Sequence, residues 1–222
     1  KDVYDKSGGA LDLSLYPVIK RWGFVDGHYY VPTDQEISQD LALKAFDKMS
    51  LTSFPSSGSY AVSFPAGTQI SFASVGKGCA AENAIDAMRQ AGVTSGIVSL
   101  GGNVQTLGQK PNGDNWNIAI QDPNNTSSFL GVISVGEAAV VTSGTYQRYF
   151  TSEGKTYHHL INPKTGYPVS NSLLSVTIIC DDGTLADCLS TAKSPQQMFG
   201  AVAKSYFAQR IGVDPHKLFV VS

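Results

Sequence analysis

Gly76-Lys77-Gly78-Cys79-Ala80-Ala81-Glu82-Asn83-Ala84-Ile85-Asp86-Ala87-Met88-Arg89-Gln90-Ala91-Gly92, followed after three residues by Gly96-Ile97-Val98-Ser99-Leu100-Gly101-Gly102-Asn103, decides how the chain is read. A Gly-rich turn feeds a helix expected from about Cys79 to Gln90, which Gly92 ends as a C-terminal stop. A short run with strand composition then halts at paired glycines. Upstream, Tyr60–Phe64 and Gln69–Phe72 read as strands around a Pro65-Ala66-Gly67 turn. Downstream, strands are expected at about 104–108, 116–121, 131–141 and Leu173–Cys180. Turn clusters at Pro111-Asn112-Gly113, Pro123-Asn124-Asn125 and Pro163-Lys164-Thr165-Gly166 separate them. Residues 34–49 carry helix signals: Thr33 and Glu36 stand at capping-box spacing, and Ile37, Leu41, Leu43, Ala45 and Phe46 make an apolar face. Strands outnumber helices and interleave with them, which predicts an α+β fold of mixed sheets with interleaved helices.

Composition narrows the function classes. The 222 residues hold 16 Lys+Arg against 18 Asp+Glu, a formal net charge of −2, with no basic block. Binding to a phosphate backbone needs clustered cations, so nucleic acid is not an expected partner. No apolar run approaches the roughly 18 residues of a membrane span. With 42% hydrophobic residues the chain has the means to build a core, and its length suits one large domain or two small ones. Cys79, Cys180 and Cys188 are too few and too spread for a disulfide framework. Lys1–Asp5 opens with neither Met nor a leader, and Lys217–Ser222 reads as a strand that stops abruptly. Both ends are therefore expected to be cut from a longer protein.

Four features can carry chemistry. Gly76-x-Gly78-x-x-Ala81 stands between a predicted strand and a predicted helix, where backbone N–H groups can cradle a pyrophosphate. The next strand ends in Leu100-Gly101-Gly102-Asn103 without a carboxylate, which argues against a nicotinamide-type site. Phosphate cradling with Lys77, or a plain packing turn with a solvated lysine, both remain. Asp187, Ser190 and Thr191 fall at i, i+3 and i+4 of a helical stretch beginning near Leu185. Such hard oxygens suit Mg²⁺ shared with a phosphate, although an acidic residue near a helix start also simply favours the helix dipole. His158-His159 lacks zinc-ligand spacing, and whichever of the two faces a cleft is a candidate base. Thr142-Ser143-Gly144 with Thr145–Tyr149 is either a phosphate- or ring-binding loop or an ordinary turn.

Taken together, six stretches resemble the ApbE-type FAD:protein FMN transferases, in the family's order over about residues 7–192. They are Leu11-Asp12-Leu13-Ser14 with Trp22-Gly23-Phe24; Ala73–Gly78; Leu100–Asn103; Thr142–Gly144; His159–Pro163 with Thr165–Pro168; and Ala186–Thr191. The resemblance implies an ApbE-like flavin transferase fold, N-terminally truncated, and an Mg²⁺-dependent enzyme with FAD as substrate. It implies transfer of FMN to a Thr of a target flavoprotein, with hydrolysis of FAD to FMN and AMP as a side activity. By the same carry-over, Ser74, Asp187, Ser190 and Thr191 are metal positions. Ser71, Lys77, Gly101, Gly102, Thr142 and Ile161 are flavin-nucleotide positions, and His159 is the candidate base. Family members usually work outside the cytoplasm as anchored lipoproteins, and no such signal is visible here. Ser71 and Asn162 stand where the family usually has Asp, which removes charge near the site and makes a flavin-binding module without turnover the alternative.

The tail departs from the family. Lys193-Ser194-Pro195 interrupts the expected apolar continuation, and Ser194 with Gln197 forms a capping box with Pro195 at the first helical position. Residues from about Leu189 to Ser222 resemble a segment of iron-only hydrogenases just upstream of a cluster-ligating Cys. No Cys lies beyond Cys188, so no cluster ligand comes with it. The expected division is a flavin transferase domain over 1–192 and a foreign or divergent tail over 193–222, which leaves a non-functional hybrid as the third reading.

Overall fold

In the computed structural model, residues 1–170, 173–193 and 219–221 are described. Five helices occur among them: α1 (Asp2–Lys6), α2 (Tyr16–Arg21), α3 (Asp34–Leu41), α4 (Gly76–Gln90) and α5 (Gly183–Lys193). The strands are β1 (Ser50–Phe54), β2 (Ser59–Ser63), β3 (Gly96–Ser99), β4 (Asn103–Leu107), β5 (Trp116–Gln121) and β6 (Phe129–Val135). They continue as β7 (Ala139–Gly144), β8 (Tyr149–Ser152), β9 (Lys155–His158), β10 (Ser175–Cys180) and β11 (Phe219–Val221). A five-stranded antiparallel sheet runs in the order β11-β10-β7-β4-β3, and β1-β2, β5-β6 and β8-β9 are separate hairpins. The architecture is the expected α+β.

Alternation explains the layers. In β7 and β10, Val141 pairs with Ile178, and Ala139 with Cys180, on one face of the sheet. These side chains pack with Ala186 and Leu189 of α5. On the opposite face Val140 and Ile179 pack against Ile118 and Ile120 of the β5–β6 hairpin. Covered on both faces, β10 is buried at all six positions, which is why its sequence reads as a continuous apolar run rather than an alternating one. A second core joins α2, α3 and the β8–β9 hairpin around Trp22, whose Nε1 donates to the Gly166 carbonyl at 2.8 Å.

Several local expectations hold. Thr33 and Glu36 form a reciprocal capping box on α3, and Gly92 takes the left-handed conformation (φ +82) that ends α4. Others change. The segment Gln69–Phe72 is not a strand: Ser71 N–H bonds to the Leu13 carbonyl at 3.0 Å, tying it to the N-terminal loop instead of a ladder. The expected strand over 131–141 is two strands, β6 and β7, broken where the Thr106 hydroxyl donates to the Gly136 carbonyl (2.6 Å) and accepts the Ala138 N–H (2.9 Å). Helix α4 starts at Gly76, three residues early. The capping-box helix at Ser194–Gln197 and the hydrogenase-like tail lie outside the described residues, apart from Phe219–Val221, which pair with β10 as the sequence suggested for a terminal strand.

Candidate active site

Two cavities meet beside the N-terminus of α4. The first, about 140 Å³, is walled by Ala10–Leu13, Leu15, Phe24, Leu160 and Ile161, with Ser71, Ser74, Asp187 and Thr191 supplying polar atoms. The second, about 880 Å³, lies between the sheet and the β5–β6 hairpin and takes in Gly101, Gly102, Thr142 and Tyr146. Ala73, Lys77, Gln147, Arg148 and His159 line both, so these five residues form the waist that the two cavities share.

Ten of the eleven residues singled out from sequence lie at that waist or to one side of it. Lys77 and His159 are at the waist; Ser71, Ser74, Ile161, Asp187 and Thr191 belong to the first cavity, and Gly101, Gly102 and Thr142 to the second. Ser190 is the exception: it is fully buried behind the wall, its hydroxyl sharing a 2.8 Å hydrogen bond with Ser143 Oγ and donating to the Asp187 carbonyl at 3.0 Å. Asn162, also buried, accepts the Lys164 N–H on its side-chain oxygen (2.9 Å) and organises the turn to Gly166. The missing charge there sits in a turn beneath the cleft rather than on its surface.

The helix crossing sets the carboxylate. Asp187 Oδ2 accepts the Gly78 N–H at 2.8 Å, while Glu82 of α4 accepts the Thr184 N–H at 3.1 Å and the Thr184 hydroxyl. Each helix thus caps the start of the other. A Cβ on Gly78 would lie 2.7 Å from Asp187 Cβ and 3.0 Å from Thr184 Cα, so only glycine permits the approach. The second glycine of Gly76-x-Gly78 serves this contact, and its N–H is given to Asp187, not offered to a ligand. The sheet supports the crossing from below, with Gln105 Nε2 donating to the Gly78 carbonyl at 3.0 Å.

Asp187 is nearly buried, and burial pushes its carboxyl above the usual range, opposed by the Gly78 N–H and the Lys77 ammonium. A carboxylate so poorly compensated, with the Thr191 and Ser74 hydroxyls on the same cleft, is a hard-oxygen set that fits a small divalent cation such as Mg²⁺. Lys77 Nζ donates to the Gly101 carbonyl at 2.7 Å, which holds the ammonium over the waist.

The two histidines separate cleanly. His158 turns inward, its Nε2 on the Val169 carbonyl at 3.0 Å. His159 faces the groove with Nδ1 3.1 Å from the Arg148 carbonyl. A carbonyl only accepts, so Nδ1 carries the proton and Nε2 keeps its lone pair. Burial, reinforced by the nearby cations Arg148 and Lys77 and by His158, drops its pKa to about 4. His159 is therefore a neutral base at physiological pH.

The sequence offers Gln147 and Arg148 only within a loop that reads either as phosphate- or ring-binding or as an ordinary turn, and the structure places both at the waist. Arg148 bonds through Nη1 to the Phe24 carbonyl at 3.0 Å, and Gln147 through Nε2 to the Thr142 carbonyl at 3.4 Å. The signal was a polar, aromatic stretch after an apolar strand, which fits a turn equally well. Asp12 also belongs to the cleft: its nearly buried carboxylate lines the first cavity, paired with Lys44 at 3.3 Å and accepting the Ser14 hydroxyl at 2.6 Å.

Comparison with known proteins accords with this geometry. The FAD:protein FMN transferase of Klebsiella pneumoniae (strain 342) is 33% identical over 213 residues, covering 95% of this chain and 63% of that protein. The enzyme of the same name from Treponema pallidum is 34% identical over 200 residues, covering 85% and 55%. The chain thus spans between about half and two thirds of these relatives' length. Among solved structures, the ApbE protein of Thermotoga maritima superposes with a TM-score of 0.77 at 32% identity, covering 86% of this chain and 60% of that one. The apo flavinyl transferase ApbE of Pseudomonas stutzeri gives 0.74 at 30% identity, covering 95% and 64%. The ApbE family model matches residues 1–198, and the chain belongs to the ApbE family.

Proposed function

We propose that the chain cleaves the pyrophosphate of FAD and transfers FMN to a threonine hydroxyl of a target flavoprotein, with Mg²⁺ at Asp187. The observation that carries this reading is the waist. A neutral imidazole and an ammonium stand where two cavities join, with a nearly buried carboxylate in the first of them, an arrangement suited to a dinucleotide with a central pyrophosphate. The names of the relatives support it: both curated proteins are FAD:protein FMN transferases.

In this reading His159 Nε2 accepts the proton of the attacking hydroxyl, which then bonds to the FMN phosphorus as the P–O bond to AMP breaks. Lys77 neutralises the phosphate oxygens at the waist, and the start of α4 adds the positive end of its dipole. Asp187, Thr191 and Ser74 would hold the cation, which when bound offsets charge building on the pyrophosphate. Ser190 positions rather than ligates, since its hydroxyl is engaged with Ser143 and the Asp187 carbonyl. Water entering in place of the acceptor gives FMN and AMP. Work outside the cytoplasm, and a separate origin for residues 193–222, follow from the sequence resemblance and belong to the same proposal.

The test is to incubate the chain with FAD and Mg²⁺ and assay AMP. Release of AMP that disappears in the His159→Gln variant supports the reading. Quenching of flavin fluorescence without AMP would leave a flavin-binding module, and no quenching would remove FAD altogether.

A further inference from the structure

Lys77 lines both cavities of the groove. It and Asp187 line the same cavity, and the peptide that follows Lys77 delivers its N–H to the Asp187 carboxylate at 2.8 Å. The positive end of α4 points at the same carboxylate. Among the described residues, no three His, Cys, Asp or Glu side chains gather as a metal cluster. A divalent cation at Asp187 therefore has that carboxylate, already sharing an oxygen with Gly78, together with hydroxyl groups; Asp12 lines the same cavity but is engaged by Lys44 at 3.3 Å, and Lys77 lines it with its ammonium. One carboxylate against one ammonium is a weak hold for a strongly hydrated ion.

A pyrophosphate changes both sides of that balance. Its oxygens can complete the cation's shell, and its negative charge offsets Lys77, which already reaches the waist through its bond to the Gly101 carbonyl. Resting on the reading of the groove as an FAD site, we propose that Lys77 repels divalent cations from the empty cleft and so makes metal and dinucleotide bind as a pair. The lysine is then a gate on metal loading as well as a phosphate contact. Linkage requires the coupling to be reciprocal: whatever factor FAD contributes to metal affinity, the metal contributes to FAD affinity.

The experiment titrates Mn²⁺, a paramagnetic stand-in for Mg²⁺, into the chain on ice and counts free ion by electron paramagnetic resonance, with and without FAD. Wild type is expected to take Mn²⁺ weakly alone and roughly tenfold or more tighter with FAD, with the same factor appearing in flavin-quenching titrations with and without Mn²⁺. Lys77→Met is expected to bind Mn²⁺ alone roughly tenfold tighter than wild type, the worth of one nearby charge partly screened by solvent. Lys77→Arg keeps the charge and is expected to keep the coupling, and Asp187→Asn is expected to lose the bound Mn²⁺ in both conditions. Circular dichroism melts establish that each variant is folded. Equal Mn²⁺ affinity with and without FAD, or a Lys77→Met variant no tighter than wild type, overturns the proposal while leaving flavin binding intact. Absence of flavin quenching in every titration removes the FAD reading itself and this inference with it.

Discussion

The Gly78 N–H and the Asp187 carboxylate are joined at 2.8 Å across the α4–α5 crossing, in return for the Glu82 carboxylate that caps Thr184. The site's carboxylate is thus part of the packing of two helices, and its chemistry and its structural role can be tested apart.

Gly78→Ala tests the packing. The added methyl must displace Asp187 or Thr184, because the contact distances leave no room. The expected cost is about 1–3 kcal/mol, typical of overpacking a tight contact. It is read as a lower thermal midpoint together with weakened Mn²⁺ binding in the presence of FAD. An unchanged midpoint would mean the helices separate without penalty.

Asp187→Asn tests the charge. Burial raises the folded-state pKa of Asp187 above its unfolded value. Its ionised form therefore opposes folding, and the penalty appears as pH rises through the folded-state pKa. The amide oxygen can still accept the Gly78 N–H. Without metal, the variant is expected to match or exceed wild type in thermal midpoint at pH 7, with the difference shrinking on acidification below the usual carboxylate range. AMP production is expected to fall by about 100-fold or more, as when a transition-state electrostatic partner is removed. A variant less stable at neutral pH would show the carboxylate to be better compensated than its surroundings indicate.

His159 tests the base. With a folded pKa of about 4 it stays neutral down to that pH, so the acid limb of the rate profile is expected near 4 instead of near the ordinary histidine value of 6.5. Linkage gives the matching stability trend. The unfolded state binds the proton more readily between those two pH values, so His159 makes the fold lose stability as pH drops from 6.5 towards 4. His159→Gln is expected to slow turnover by about 10²–10⁴-fold and to flatten that limb. A limb that persists unchanged in the variant would assign it to another group.

Trp22→Phe tests the second core. The indole N–H holds the Gly166 carbonyl, closing the turn that carries Asn162 and follows Ile161. Losing that buried hydrogen bond is expected to cost about 1–3 kcal/mol, measured by denaturant unfolding, through the orphaned carbonyl.

Local chemistry carried much of this architecture. Thr33 with Glu36, and Gly92 after α4, act through neighbours within four residues, so their readings survive in three dimensions. The apolar run of β10 was equally plain, because burial on both faces leaves no alternation to misread. What failed depended on distant partners. Gln69–Phe72 has strand composition, yet its neighbour is the Leu13 loop, and the break between β6 and β7 is made by Thr106 from another strand. In the site, Asp187, Lys77 and His159 stood in recognisable short patterns. Gln147 and Arg148 stand in a stretch that reads equally as a binding loop or a turn, and only the fold, which sets the β7–β8 connection against both cavities, decides between them.

The exchanged caps of α4 and α5 also bear on how the molecule opens. Fraying of either helix start withdraws an N–H donor from a carboxylate of the other helix, so the two ends form one cooperative opening unit in hydrogen exchange rather than two. The Gly78 and Thr184 amides should therefore exchange at a common rate, and a bound cation at Asp187 should slow both, including the one on the far helix. Metal occupancy would then be legible at an amide that no ligand touches.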